Sequence, residues 1–282
     1  MIDIIIDTLV DSLKLFPFLF FVFLLLEYIE HRVSNKSKKL VEKSNNYGPL
    51  IGSILGAFPQ CGFSSAASNL YAARIISIGT LISIYLSTSD EMLPILISEK
   101  ADPILILKII ALKVLIGMVC GFIIDLIIRK PKKDNNQVIA KICEEEHCNC
   151  KGGIFKSSIK HSLHIVLFIF IISFFLNTAL FYLGEDTISN IFMKDSIIGP
   201  FIASLVGLVP NCGSSVIITQ LYLSSAITFG SMMAGLLTNS GVALLVLFKI
   251  NKNIKANIKI VVSMYGIGVI SGIIIDVINI II

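Results

Sequence analysis

Two turns of the same make, Pro59-Gln60-Cys61-Gly62 and Pro210-Asn211-Cys212-Gly213, hold the residues best suited to chemistry. Each sets a thiol beside a side-chain amide, so Cys61, Gln60, Cys212 and Asn211 are candidate metal ligands. Soft thiolates favour zinc, Cu(I), cadmium or arsenite, and neighbouring oxygens widen the range to manganese, iron and cobalt. Cysteine is also commonly buried for packing alone, so two small residues at tight turns are the competing reading. A second polar break follows each turn: Ser87-Thr88-Ser89-Asp90-Glu91 and Thr238-Asn239-Ser240-Gly241. Asp90 and Glu91 are the sharpest features there, because carboxylates inside an apolar run cost about 2.5 to 3.5 kcal/mol each on insertion scales. They could ligate a divalent cation or carry a counter-transported proton, and a place at a water-filled mouth is the plainer alternative. Ser89, Asn239 and Ser240 complete the candidate oxygen donors at the breaks.

Three further constellations are weaker. Asp11 and His161 occupy equivalent places at the starts of two apolar spans. Glu27, Glu30 and His31 form a Glu-x-x-Glu-His cluster whose spacings of three and four share a helix face, which suits an ion access site or an ordinary charged helix end. Cys143, His147, Cys148 and Cys150 fall within eight residues, a short Cys/His tract of the kind that captures metal. It lacks the paired modules of a zinc finger, so loading or sensing of metal competes with a plain polar linker.

The elements that must position these residues are membrane spans. Of 282 residues, 55% are hydrophobic and 15% charged, against roughly 25% charged in soluble proteins. The apolar residues come in runs of about 20, which excludes a disordered chain, a coiled coil and an ordinary soluble enzyme. The net charge is +4 and the Lys and Arg residues sit in a few loops, so nucleic acid is not an expected partner. Asp3, Asp7 and Asp11 open the chain without a basic region, so the first span reads as retained rather than as a removable signal. The six cysteines do not form a secreted disulfide framework. No Gly-x-x-x-x-Gly-Lys-Ser/Thr motif occurs, so the chain carries no P-loop ATPase of its own.

A repeat runs through nearly the whole length. Gly48-Pro49 recurs 151 residues later as Gly199-Pro200, and the same offset pairs Gly56 with Gly207, Cys61 with Cys212, Gly79 with Gly230, and Gly117, Gly121 and Asp125 with Gly268, Gly272 and Asp276. The glycine spacings read as helix packing, with the Asp residues at helix ends. Loop charge reverses between the halves. The loop after the first span carries Arg32, Lys36, Lys38, Lys39 and Lys43, whereas its counterpart carries Glu185, Asp186, Lys194 and Asp195. Cytoplasmic loops are rich in Lys and Arg, so matching segments should face opposite sides. The expected fold is therefore an all-α polytopic membrane protein of two inverted-topology repeats, each of about five segments, with broken or re-entrant helices at Pro-x-Cys-Gly. The first repeat covers 1–129, a cytoplasmic Cys/His loop 130–158, and the second repeat 159–282, with both termini outside.

Taken together, Leu26-Glu27-Tyr28-Ile29-Glu30-His31, Gly56 to Ser64, Leu86 to Glu91, His147 to Cys150 and Val209 to Ser214 resemble the ten-transmembrane heavy-metal exporters, a family labelled as manganese transporters or arsenic efflux proteins. Asn149 departs from similar loops, which often carry another His there. The resemblance implies cation or metalloid efflux across the cytoplasmic membrane of a prokaryote. The leading expectation is a secondary transporter, not an enzyme, that exports a divalent cation with manganese foremost, by alternating access. Arsenite or another thiophilic species is the alternative substrate, and an intramembrane thiol oxidoreductase the less favoured alternative class. A sensory protein that binds metal without moving it is a further alternative. No cofactor is expected beyond the metal as substrate. Membrane lipid and the metal cation are the expected partners, and a homodimer stays open. Loop charge places residues 130–158 in the cytoplasm and both termini outside; a cysteine-accessibility map that finds the loop outside would sink the topology and the inversion together.

Overall fold

The computed structural model describes residues 47–58, 61–89, 92–128, 198–211 and 213–281, with isolated positions between 10 and 24 and between 159 and 178. The described elements are helices: α1 (Gly48–Gly56), α2 (Cys61–Ala72), α3 (Ile78–Ser87), α4 (Met92–Ser98), α5 (Pro103–Ile128), α6 (Gly199–Gly207), α7 (Gly213–Leu223), α8 (Phe229–Thr238), α9 (Ala243–Ile250) and α10 (Ile254–Ile281). The sequence explains their ends. Pro49 and Pro200 start α1 and α6, where a missing N–H costs nothing. Helices α2 and α7 stop on left-handed residues, Arg74 at φ 59° and Ser225 at φ 58°. There the amides of Ile75 and Ala226 reach back to the carbonyls of Leu70 and Leu221 at 2.9 and 2.8 Å, a Schellman-type stop. Ser77 and Thr228 then cap α3 and α8 by accepting from the amides of Thr80 and Ser231 at 3.0 and 3.1 Å.

Helices α5 and α10 hold 26 and 28 residues, beyond the roughly 20 that a bilayer requires. Their outward faces expose Ile104, Leu107 and Leu126 on α5 and Ile254, Val262 and Ile270 on α10. Such contiguous apolar surface is stable against lipid chains and not against water. The stretch Phe229–Ile250, which joins α8 to α9 across a break, is also long and apolar enough to cross, yet it is almost wholly covered by protein. The chain is a helical, multi-pass membrane protein whose interrupted helices lie inside and whose long ones face out.

Packing follows the 151-residue offset. Helix α3 lies against α1 and α5, and α8 lies against α6 and α10. The halves then exchange contacts: α2 packs on α9, α7 on α4, and α3 meets α8. Each of the two buried cores is accordingly built by both halves. One joins Leu81, Tyr85 and Leu86 to Leu244, Leu247 and Met264; the other joins Met92, Leu96 and Ile109 to Ile218, Met232 and Leu236.

Close backbone approach fixes these pairs. A side chain on Gly79 would strike the carbonyl of Gly121, and one on Gly230 the carbonyl of Gly272. The approach lets one carboxylate reach the next helix. Asp125 on α5 accepts from the Gly79 amide at 2.9 Å and from the Ser77 hydroxyl at 2.6 Å. Asp276 on α10 repeats this with Gly230 and Thr228, both at 2.7 Å. Each Asp thus places a negative charge on the positive N-terminus of a central helix, a sharper role than the helix-end placement expected from spacing. Asp125→Ala and Asp276→Ala should each destabilise the protein by about 2 kcal/mol, since each strips an amide and a hydroxyl of a charged acceptor. Thermal unfolding in detergent, followed with a thiol-reactive dye, checks this; parental stability in both variants would reduce the carboxylates to surface charges.

Candidate functional site

The site is built where the two central helices stop. Helix α3 ends at Ser87, and Thr88 turns out of it at φ −54°, ψ 128°; α8 ends at Thr238, and Asn239 turns out at φ −77°, ψ 110°. A helix end leaves its last four carbonyls without amide donors, and in a membrane each must be satisfied by protein. Hydroxyls do part of this. The Ser87 hydroxyl lies 3.1 Å from the Ile84 carbonyl, to which Thr88 donates at 2.7 Å. Thr238 lies 2.9 Å from the carbonyl of Ser204, 3.0 Å from that of Gly235 and 3.2 Å from that of Ala234. On the far side of the second break, the Asn239 side-chain oxygen accepts the Gly241 amide at 2.8 Å, and Gly241 takes φ 56°. A left-handed residue is most easily glycine, which explains why Gly241 stands where the first half has Asp90.

Two further carbonyls meet a lysine. Lys113, on α5, is 1% exposed and donates from Nζ to the carbonyl of Thr88 and, at 2.7 Å, to that of Leu236. Those acceptors belong to different breaks, so one ammonium group brings the C-terminal ends of α3 and α8 to one place. The helix dipoles make both ends negative, which favours a cation there. Lys113 lies ten residues into α5, about 15 Å along its axis, and its head is held inside the protein by these two carbonyls. The sequence motifs did not single out this residue. The available signal was a single charge far from either helix end; the position 151 residues on holds Met264, equally buried.

The second break is also held from α2. Ser68 Oγ stands 3.0 Å from the carbonyls of both Ser64 and Ala243, the latter the first residue of α9, and 2.6 Å from the Tyr85 hydroxyl, which itself lies 3.4 Å from the Ala243 carbonyl. Around this clamp are buried polar atoms with no hydrogen-bond partner among the described residues: Ser65 Oγ and Asn69 Oδ1 on α2, and Ser240 Oγ at the break. Unsatisfied oxygens in such a place are costly for a purely structural core and suit a site that receives a ligand.

Of the residues singled out by sequence, Ser89, Asn211, Asn239 and Ser240 are buried at the breaks. Ser89 donates to the Ser87 carbonyl at 3.2 Å, and the Asn211 side-chain oxygen accepts the Gly213 amide at 3.2 Å. Cys61 begins α2, between α1 and the clamp, with its side chain outside the description. Gln60, Asp90, Glu91, Cys212, Asp11, His161, Glu27, Glu30, His31, Cys143, His147, Cys148, Cys150 and the loop 130–158 lie outside the described residues. Among the described residues no three His, Cys, Asp or Glu side chains gather into a metal centre. The donors described at the breaks are hydroxyl, amide and backbone oxygens.

Comparison with known proteins finds one family. The model of the family described as "Putative, 10TM heavy-metal exporter" matches residues 1–187 and 170–280. No curated protein and no solved structure matches the chain.

Because Ser68 and Tyr85 share one acceptor, their contributions should not add. Ser68→Ala and Tyr85→Phe should each cost about 1 to 2 kcal/mol of stability, and the double variant clearly less than the two losses combined. A double-mutant cycle of thermal unfolding measures it; strict additivity would mean that the clamp is two independent contacts.

Proposed function

The chain belongs to the ten-transmembrane heavy-metal exporter family, and on that premise we propose that it is a secondary transporter exporting a divalent metal cation, manganese foremost, out of the cytoplasm by alternating access. The observation that carries this reading is the convergence of the α3 and α8 ends on Lys113 Nζ, deep inside the protein. Irregular backbone at membrane depth is tolerated where it is buried in protein or lines a substrate path. The hydroxyl, amide and backbone oxygens described at the breaks can serve a hard cation such as manganese.

In this reading the halves are inverted repeats that rock against one another, and the recurrence of the Asp125 and Asp276 contacts 151 residues apart supports their equivalence. Cys61 and Cys212 contribute one ligand from each half, and Asp90, two residues beyond the Thr88 carbonyl in sequence, supplies the anionic oxygen a hard cation needs. The metal is substrate, and no resident cofactor is assigned.

Reconstituted protein tests the reading directly. Vesicles loaded with manganese, cadmium or arsenite should lose manganese fastest, and cells lacking the protein should accumulate it. Asp90→Asn should abolish manganese export with a smaller loss for cadmium, and Cys61→Ser and Cys212→Ser should each impair export. Equal transport of every ion by parent and variants would remove Asp90 and both cysteines from the site, and no transport of any of them by the parent would end the exporter reading.

A further inference from the structure

A carrier that releases its ion must return empty, and the empty state is the difficult one here. Thr88 O and Leu236 O lie at the negative carbonyl ends of two broken helices in the buried interior, where each needs a donor. Both lie on the Lys113 ammonium. We propose that Lys113 is the resident cation of the site: its ammonium fills the carbonyl pair once the transported cation has left, and withdraws when that cation binds. The proposal rests on the exporter reading, and it assigns Lys113 to the return of the empty carrier rather than to recognition of the metal.

Three observations carry it. The acceptors come one from each half, so the ammonium joins the breaks while it is in place and frees them when it goes. Packing does not require a charge at this position, because the repeat puts the equally buried Met264 at the equivalent place. Lysine is a compact ammonium on a flexible four-carbon stem, able to move between acceptors without moving α5. The buried oxygens of Ser65 and Asn69 on α2 and of Ser240 at the second break, without a hydrogen-bond partner among the described residues, are further oxygens that an arriving cation could engage.

The experiment separates two fluxes in proteoliposomes of the full chain. Net efflux of radioactive manganese into manganese-free buffer requires the empty return; exchange of labelled for unlabelled manganese does not. Lys113→Met should lower net efflux by about a hundredfold, as expected for losing one charge-assisted partner in the return step, while exchange stays within about threefold of the parent. Lys113→Gln, which keeps hydrogen-bond donors without the charge, should show the same split and carries the test if the Met variant does not yield folded protein. Parental net efflux in either neutral variant would overturn the inference. Loss of both fluxes in a folded Gln variant would make Lys113 a structural pin and overturn it as well. If the parent moves manganese, cadmium and arsenite in neither mode, the exporter reading itself fails and takes this inference with it; if the parent transports and the fluxes do not split, only the inference falls.

Discussion

A backbone carbonyl inside hydrocarbon has no water to turn to, and two helices that stop in the interior of a membrane protein leave several such groups facing one another. The arrangement of this chain answers that problem. Ser87, Thr88 and Thr238 fold their hydroxyls back onto nearby carbonyls, Ser68 and Tyr85 reach across to Ala243, and Lys113 gathers one carbonyl from each break. These contacts give polar partners to the places where α3 and α8 stop.

The frame around the breaks is repeated with small variation. Asp125 and Asp276 bind the starts of α3 and α8 through the same atoms at nearly the same distances, and glycines bring both helix pairs into backbone contact. Exchange between the halves then ties the frame together. Because α2 sits on α9 and α7 on α4, each buried core draws on both halves. Movement of one break relative to the other must therefore pass through the contacts that define the cores, which suits motion of helix groups more than local loop opening.

Several differences between the halves fall at or near the breaks. Lys113 faces Met264 across the repeat, Tyr85 corresponds to Leu236, and Asp90 and Glu91 correspond to Gly241 and Val242. The symmetric parts hold helices in place, while the asymmetric ones place charge and hydrogen-bonding capacity.

Much of this was legible in the residues alone. Gly-Pro starts, the interruption at 59 to 62, the polar stretches that end α3 and α8, and the long apolar runs of α5 and α10 are local features, and each reports what its own segment prefers as solvent or as backbone conformation. The 151-residue offset was visible for the same reason, since it compares residues and requires no contacts. Lys113 was lost because a single charge barely changes the apolar character of a 26-residue helix, and Asp125 and Asp276 looked like ordinary helix-end residues. Their partners lie 46 and 48 residues away, and the Lys113 to Leu236 bond spans 123. Sequence by itself marked the chain as helical and membrane-spanning, the polar stretches at which α3 and α8 stop, and the recurrence of residues at a 151-residue offset. Only the tertiary structure decided which carbonyls each charge would meet, because that depends on which helices pack together, and packing joins residues whose separation along the chain leaves no periodic mark.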